Sequence, residues 1–196
     1  LERLSAEYTY FSGYHCCNSY DKHCALGFDQ RRKGRNGVMP RHPSLVPFSH
    51  DHHEALLVAL RLKKGGPSSP HDMLWPTEPA QQAEALVRYA ERELLRHFEL
   101  EENVLFPNAS ESDEKIAVLI AALLEEHQQM REILTDLTMA DISTLPAKLR
   151  EFGVLLERHI RKEERELFPM IELGVAEGRI VIDHTAIRSG YEEYHS

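Results

Sequence analysis

His97-Phe98-Glu99-Leu100-Glu101-Glu102-Asn103-Val104-Leu105-Phe106-Pro107 recurs as His159-Ile160-Arg161-Lys162-Glu163-Glu164-Arg165-Glu166-Leu167-Phe168-Pro169. His, Glu, Glu, Leu, Phe and Pro return at identical offsets, a coincidence that chance within one small chain rarely produces. On a helix, residues four apart lie on one face, so His97 with Glu101 and His159 with Glu163 each aim an imidazole and a carboxylate the same way. Leu105 and Leu167 extend those faces and are apolar, which turns both pairs toward a core. A buried carboxylate beside a buried imidazole is costly unless it is paired or holds a metal. The doubled pattern therefore calls for a cation between the two copies.

The segments around the two copies read as helices. Pro47 and Ser49 mark a helix start, Leu56, Leu57 and Leu60 form an apolar stripe, and Gly65-Gly66-Pro67 ends the helix. A loop with Trp75 as its anchor leads to a second helix from about 80 to 105, which Pro107 stops. Turn and cap residues at 108–113 precede a third helix over about 114–138, and the fourth covers about 147–173. Four amphipathic helices on short to moderate loops predict an all-α, up-down-up-down four-helix bundle. Residues 1–40 are expected to form a poorly ordered arm, 41–173 the bundle, and 174–196 a tail. Within the tail, Arg179-Ile180-Val181-Ile182 reads either as a short strand-like piece or as a packed strap.

Composition narrows the partners. A net charge of −9 and a pI near 5.7 argue against nucleic acid or an anionic membrane surface. The basic run Arg31-Arg32-Lys33-Gly34-Arg35 reads as a solvated linker. No apolar stretch reaches the roughly 18 residues of a membrane span, and the N-terminus lacks the apolar core of a secretory signal, so a soluble, cytoplasmic protein is expected. The three cysteines, Cys16, Cys17 and Cys24, all lie in the arm and make no disulfide framework. With His15 and His23 they fit zinc spacing badly.

The doubling extends beyond the repeated block. His127 is the inward histidine of the third helix, and its counterpart on the first is His50, His52 or His53. His53 is preferred because Leu56 and Leu60 lie three and seven positions on, as Met130 and Leu134 do from His127. His52 is the alternative, since it follows an acid as His127 does. Four imidazoles and two carboxylates suit a pair of first-row transition metals better than one zinc, and this donor mixture favours iron or manganese. None of these histidines has the glutamate three positions earlier that a ferritin-like site uses. Glu102 and Glu164 read as surface or supporting groups whose nearest use is to accept the second ring N–H of a ligating histidine. Leu105, Phe106, Leu167 and Phe168 read as packing, and His42, His71, His184 and His195 as exposed and uninvolved.

The two His-x-x-x-Glu-Glu-x-x-Leu-Phe-Pro blocks, with Ser49-His50-Asp51-His52-His53-Glu54 and Glu126-His127, resemble the hemerythrin-like (HHE) cation-binding domain over roughly residues 42–172. The resemblance implies a non-haem di-iron centre whose two iron ions are bridged by Glu101 and Glu163 and by an oxo, hydroxo or water ligand. One iron would take the first-helix histidine (His53 or His52) and His97, the other His127 and His159. Oxygen-carrying hemerythrins have a further histidine one turn before the third-helix ligand, where this chain has Leu123. They also end on a histidine followed five residues later by Asp, where this chain has His159 and Glu163. The set is closer to hemerythrin-like proteins of iron-centre repair and of nitric oxide or peroxide responses.

The expected function is a di-iron protein that binds, senses or reacts with a small ligand such as O2, NO or peroxide, in stress response or iron-centre repair. One alternative is a redox enzyme reducing NO or peroxide. Another is a helical interaction module with a structural metal. No nucleophile–base pair, phosphate loop or basic groove points elsewhere.

Overall fold

The computed structural model describes residues 41–69, 72 and 74–192, so the expectations for residues 1–40, for His71 and for His195 lie outside the described residues. The described chain is all-α, with five helices and, among the described residues, no strand. After a 3-10 turn at Pro43–Leu45, α1 spans Val46–Lys64. The second helix, α2, is continuous through Pro79–Tyr89, Ala90–Leu94, Leu95–Leu100, Glu101–Leu105 and Phe106–Ser110. Next come α3 at Glu114–Leu137, α4 through Leu145–Lys162, Glu163–Leu167 and Phe168–Ala176, and α5 at His184–Glu192. The tail thus adds a fifth helix to the four expected, and Arg179–Ile182 is an irregular strap that buries Ile180. No helix among the described residues is long and apolar enough to cross a membrane.

Local chemistry accounts for most of the boundaries. Gly65, at φ 68°, closes α1 with its N–H on the Leu62 carbonyl, and Gly66 N–H reaches Arg61 O. Asp113 caps α3 by accepting the Lys115 N–H at 2.8 Å. Ser49 is not the N-cap that its position suggested; it lies inside α1 and its hydroxyl donates to Glu164.

Pro107 does not end α2, nor does Pro169 end α4. A proline in a helix lacks a donor, and its ring crowds the carbonyl four residues back. Here a π-helical turn precedes each one. Phe106 N–H bonds Glu101 O and Phe168 N–H bonds Glu163 O, five residues back, which widens the backbone where the crowded carbonyl sits. Both π turns begin on the repeated Glu-Glu pair, Glu101 and Glu163.

The core falls into two apolar clusters. One holds Ala55, Ala59, Leu62, Phe98, Met130, Phe152 and Leu156, the other Leu45, Phe48, Leu105, Phe106, Leu123, Leu167 and Phe168. Phe48, Phe98, Phe152 and Phe168 are each below 2% exposed, and burial of such a ring contributes about 1.5–3 kcal/mol. On each of α1 to α4 the residues between the clusters are polar: His52, His97 with Glu101, His127, and His159 with Glu163. A single polar layer therefore separates two dry halves.

The first helix comes very close to α4. A Cβ added to Gly153 would stand 2.8 Å from Ala59 O and 3.0 Å from Leu62 Cβ, and Lys63 pairs with Glu157 beside this contact. Small residues at the contact let the backbones approach, and this puts Ala55 and Ala59, not Leu56 and Leu60, on the buried face.

Candidate metal centre

The rotation of α1 decides which histidine enters the polar layer. His52 is 2% exposed, whereas His53 and His50 are exposed, so the preference for His53 is corrected. His52 has Ala55 and Ala59 three and seven positions on, the offsets at which His127 has Met130 and Leu134. His97, Glu101, His127, His159 and Glu163 are brought together with it, all at 5% exposure or less.

All four rings are oriented alike. His52 Nδ1 hydrogen-bonds Glu164 at 2.8 Å, His97 Nδ1 Asp51 at 3.0 Å, His127 Nδ1 Glu102 at 2.7 Å, and His159 Nδ1 Glu126 at 3.1 Å. A carboxylate can only accept here, so each Nδ1 is the protonated nitrogen and each Nε2 is left with its lone pair facing inward. Those Nε2 atoms meet in pairs, His52 with His97 at 3.1 Å and His127 with His159 at 3.0 Å. Two lone pairs at that distance repel unless a proton or a metal ion lies between them.

The acids make the same demand. Both side-chain oxygens of Glu101 and of Glu163 are buried without a hydrogen bond; among the described residues Trp75 Nε1 is the other buried side-chain polar atom in that condition. Three of these oxygens face Nε2 atoms: Glu101 Oε1 lies 3.1 Å from His97 and Oε2 3.4 Å from His127, and Glu163 Oε2 lies 3.1 Å from His52 and 3.4 Å from His159. Each glutamate thus reaches both histidine pairs, and Glu101 also lies 3.9 Å from His52.

Without metal, protons meet part of this demand. Burial opposes charge on His97, but the Glu101 carboxylate and Asp51 outweigh it and hold that imidazole well above its ordinary value. His52 is raised in the same way, against burial, by Glu163 and Glu164. Burial would lift Glu101, yet the charge on His97 and the neighbouring His127 hold it well below the usual carboxylate range.

The residues fit a pair of ions. His52, His97, Glu101 and Glu163 form one donor group, and Glu101, His127, His159 and Glu163 a second, each with donor atoms within 4.8 Å of one another. Separations of 3.0–3.4 Å between neighbouring donors begin at the roughly 3.0 Å that separates adjacent ligands about an octahedral ion with bonds near 2.1 Å. The carboxylate behind each imidazole is the usual arrangement for fixing a metal-bound tautomer. The walls are aromatic: Phe98 stacks on His127 at 3.7 Å between ring centroids, and Phe168 on His52 at 5.4 Å.

Glu102 and Glu164 therefore perform the supporting role considered for them, while Asp51 and Glu126 were missed. Their signal was the acid directly before His52 and His127. Cations surround most of these supports. Arg131 bonds Glu102 at 2.8 Å, Arg41 and Ser49 bond Glu164, and Lys162 and Arg158 bond Glu126 at 2.8 and 3.1 Å. Burial works against the charge on Glu126, but His159 and Lys162 hold it down at about 2. His184 is exposed as expected and His42 is half-buried instead; neither belongs to the donor groups, and their contacts are local, with Ser44 Oγ 2.9 Å from His184 Nδ1 and the two rings 5.5 Å apart.

An all-helical domain whose inner polar layer consists of carboxylate-oriented imidazoles and bare carboxylates belongs to the metal-binding class. The family model for the hemerythrin HHE cation-binding domain matches residues 45–171. The chain is thus a member of the hemerythrin HHE cation-binding family. No curated protein and no solved structure matched it.

Proposed function

We propose that α1–α4 form the up-down four-helix bundle of this family and hold two iron ions. His52 and His97 would bind one, His127 and His159 the other, with Glu101 and Glu163 shared between them. The observation that carries this reading is the convergence of four lone-pair nitrogens on two buried carboxylates, those of Glu101 and Glu163, whose oxygens have no hydrogen bond. Iron at such a site supplies one-electron chemistry and open coordination positions. The chain's own residues orient the imidazoles through their carboxylates and exclude water with Phe98, Phe106 and Phe168. Aromatic walls close around the site favour a small ligand over a bulky organic one, so O2, NO or peroxide is the proposed ligand class. A cytoplasmic role in stress response or iron-centre repair accords with that chemistry.

Leu123, fully buried one turn before His127, supplies no fifth imidazole. Two imidazoles for each ion leave both more open than in a carrier with a five-histidine set, which favours reaction or sensing over reversible transport. The test is metal analysis of purified protein loaded anaerobically with ferrous iron, followed by optical spectra under air, under dithionite and after NO. Close to two irons per chain and near-ultraviolet absorption that responds to both treatments are expected. Protein that takes up no iron, or only one ion, would refute the di-iron reading. Steady-state consumption of NO or peroxide with a reductant would favour the enzyme over the sensor.

A further inference from the structure

We propose that Tyr191 is a positioning residue of the metal centre, aiming His97 through Asp51; this rests on the metal reading above. Its hydroxyl donates to Asp51 Oδ2 at 2.6 Å, and the same oxygen accepts the His97 Nδ1–H at 3.0 Å. The relay begins on α5, outside the four helices that carry the repeat, and outside the matched family region, which ends at residue 171.

Several contacts hold the ring in place. Tyr191 packs edge-on against Phe48 at 5.8 Å, and Phe48 in turn packs edge-on against His97 at 5.5 Å. Ile187 is 2% exposed in the same cluster as Phe48. Gly190 seats on Leu100 so tightly that a Cβ would come within 2.2 Å of Leu100 Cδ2, and Arg96 donates to Gly190 O at 3.1 Å. The helix is therefore docked with its last turn over the Asp51–His97 pair.

The other three supports receive cations: Arg41 on Glu164, Arg131 on Glu102, and Arg158 with Lys162 on Glu126. Asp51 receives a phenol instead. A carboxylate shared with a guanidinium or ammonium gives up part of its charge to it, whereas one held by a neutral donor keeps that charge for the imidazole behind it. The side chain of Asp51 is also the most exposed of the four, at 39% against 25%, 26% and 6% for Glu102, Glu164 and Glu126. Without the phenol its carboxylate can turn to solvent. The two donor groups are thus unequal, and the group containing His97 depends on α5.

Cobalt(II) titration of the metal-free full chain, followed by visible absorption, tests this. Wild-type protein should bind two ions. Tyr191→Phe keeps the ring packing and should weaken one ion about tenfold, the low end for loss of an outer partner, while leaving the other unchanged. In an Asp51→Ala background the same substitution should have no further effect. Unchanged affinities in Tyr191→Phe, an equal loss at both ions, or the same loss with and without Asp51 would overturn the assignment. Wild-type protein that binds no cobalt would instead sink the metal reading itself.

Discussion

Replacing Gly153 with alanine tests the close approach of α1 to α4 on which the placement of His52 depends. Two effects oppose each other. Alanine in a helix interior is better than glycine by about 1 kcal/mol, whereas overpacking a filled contact costs about 1–3 kcal/mol. The new methyl would meet Ala59 O at 2.8 Å, Leu62 Cβ at 3.0 Å and Lys63 Cγ at 3.2 Å. The Lys63 side chain can swing aside, but a helix carbonyl and a Cβ move only with their backbone. We therefore expect overpacking to win, with a net loss of up to about 2 kcal/mol and an unfolding midpoint lower by up to roughly 8 °C for a domain of this size. Urea and thermal unfolding of the metal-free protein would measure both. Because Ala59 lies two turns from His52 on the same face, displacement of α1 should also weaken metal uptake. A variant more stable than wild type by about 1 kcal/mol, as propensity alone requires, would refute the contact and with it the rotation assigned to α1.

The rotation can also be tested at the histidines themselves. His52→Ala should weaken one ion by more than about 100-fold, beyond the loss of an outer partner, whereas exposed His53→Ala should bind both ions normally and stay within about 0.5 kcal/mol of wild type; the opposite ranking in a metal titration would show that the wrong face had been assigned. Asp72 accepts from Arg61 at 2.7 and 2.8 Å and from Ser68, and the Arg61 bonds above all hold its carboxyl at about 2 against an ordinary 3.8. A depressed carboxyl stabilises the fold above its unfolded value and stops doing so as pH falls through its folded value. The stability gap between wild type and Asp72→Asn should therefore be full above about pH 4 and close toward pH 2; a gap independent of pH in urea titrations would contradict the pairing.

The repeated block is legible because it satisfies two periodicities at once. His97 to Glu101 and His159 to Glu163 keep helical spacing, and the apolar Leu105 and Leu167 show which side faces inward. Large side chains misled the reading at α1. Leu56 and Leu60 look like a core stripe, but a helix packed this tightly on its neighbour buries alanine, so Ala55 and Ala59 define the face and leucine lines its edge. The acid before His52, shared with Glu126 before His127, was the better sign, because each acid serves a histidine on another helix. Pro107 reads as a terminator, since nothing in the residue types reveals a π turn that makes room for it, whereas the apolar residues beyond Pro169 carry the fourth helix through. Tyr191 and α5 were invisible for a related reason. Their partner, Asp51, is 140 residues away in the chain, and no local pattern records such a meeting.

The supporting carboxylates do not respect the boundary between the two copies. Glu164, from the later copy, steadies a histidine near the start of the chain, and Glu102, from the earlier one, steadies His127. Asp51 and Glu126 act within their own halves. A helical hairpin bearing one copy is consequently an incomplete instrument: it owns two rings but can aim only one of them. Severed halves would regain their full complement only by finding each other, so the duplicated motif makes its two hairpins mutual creditors rather than spare parts.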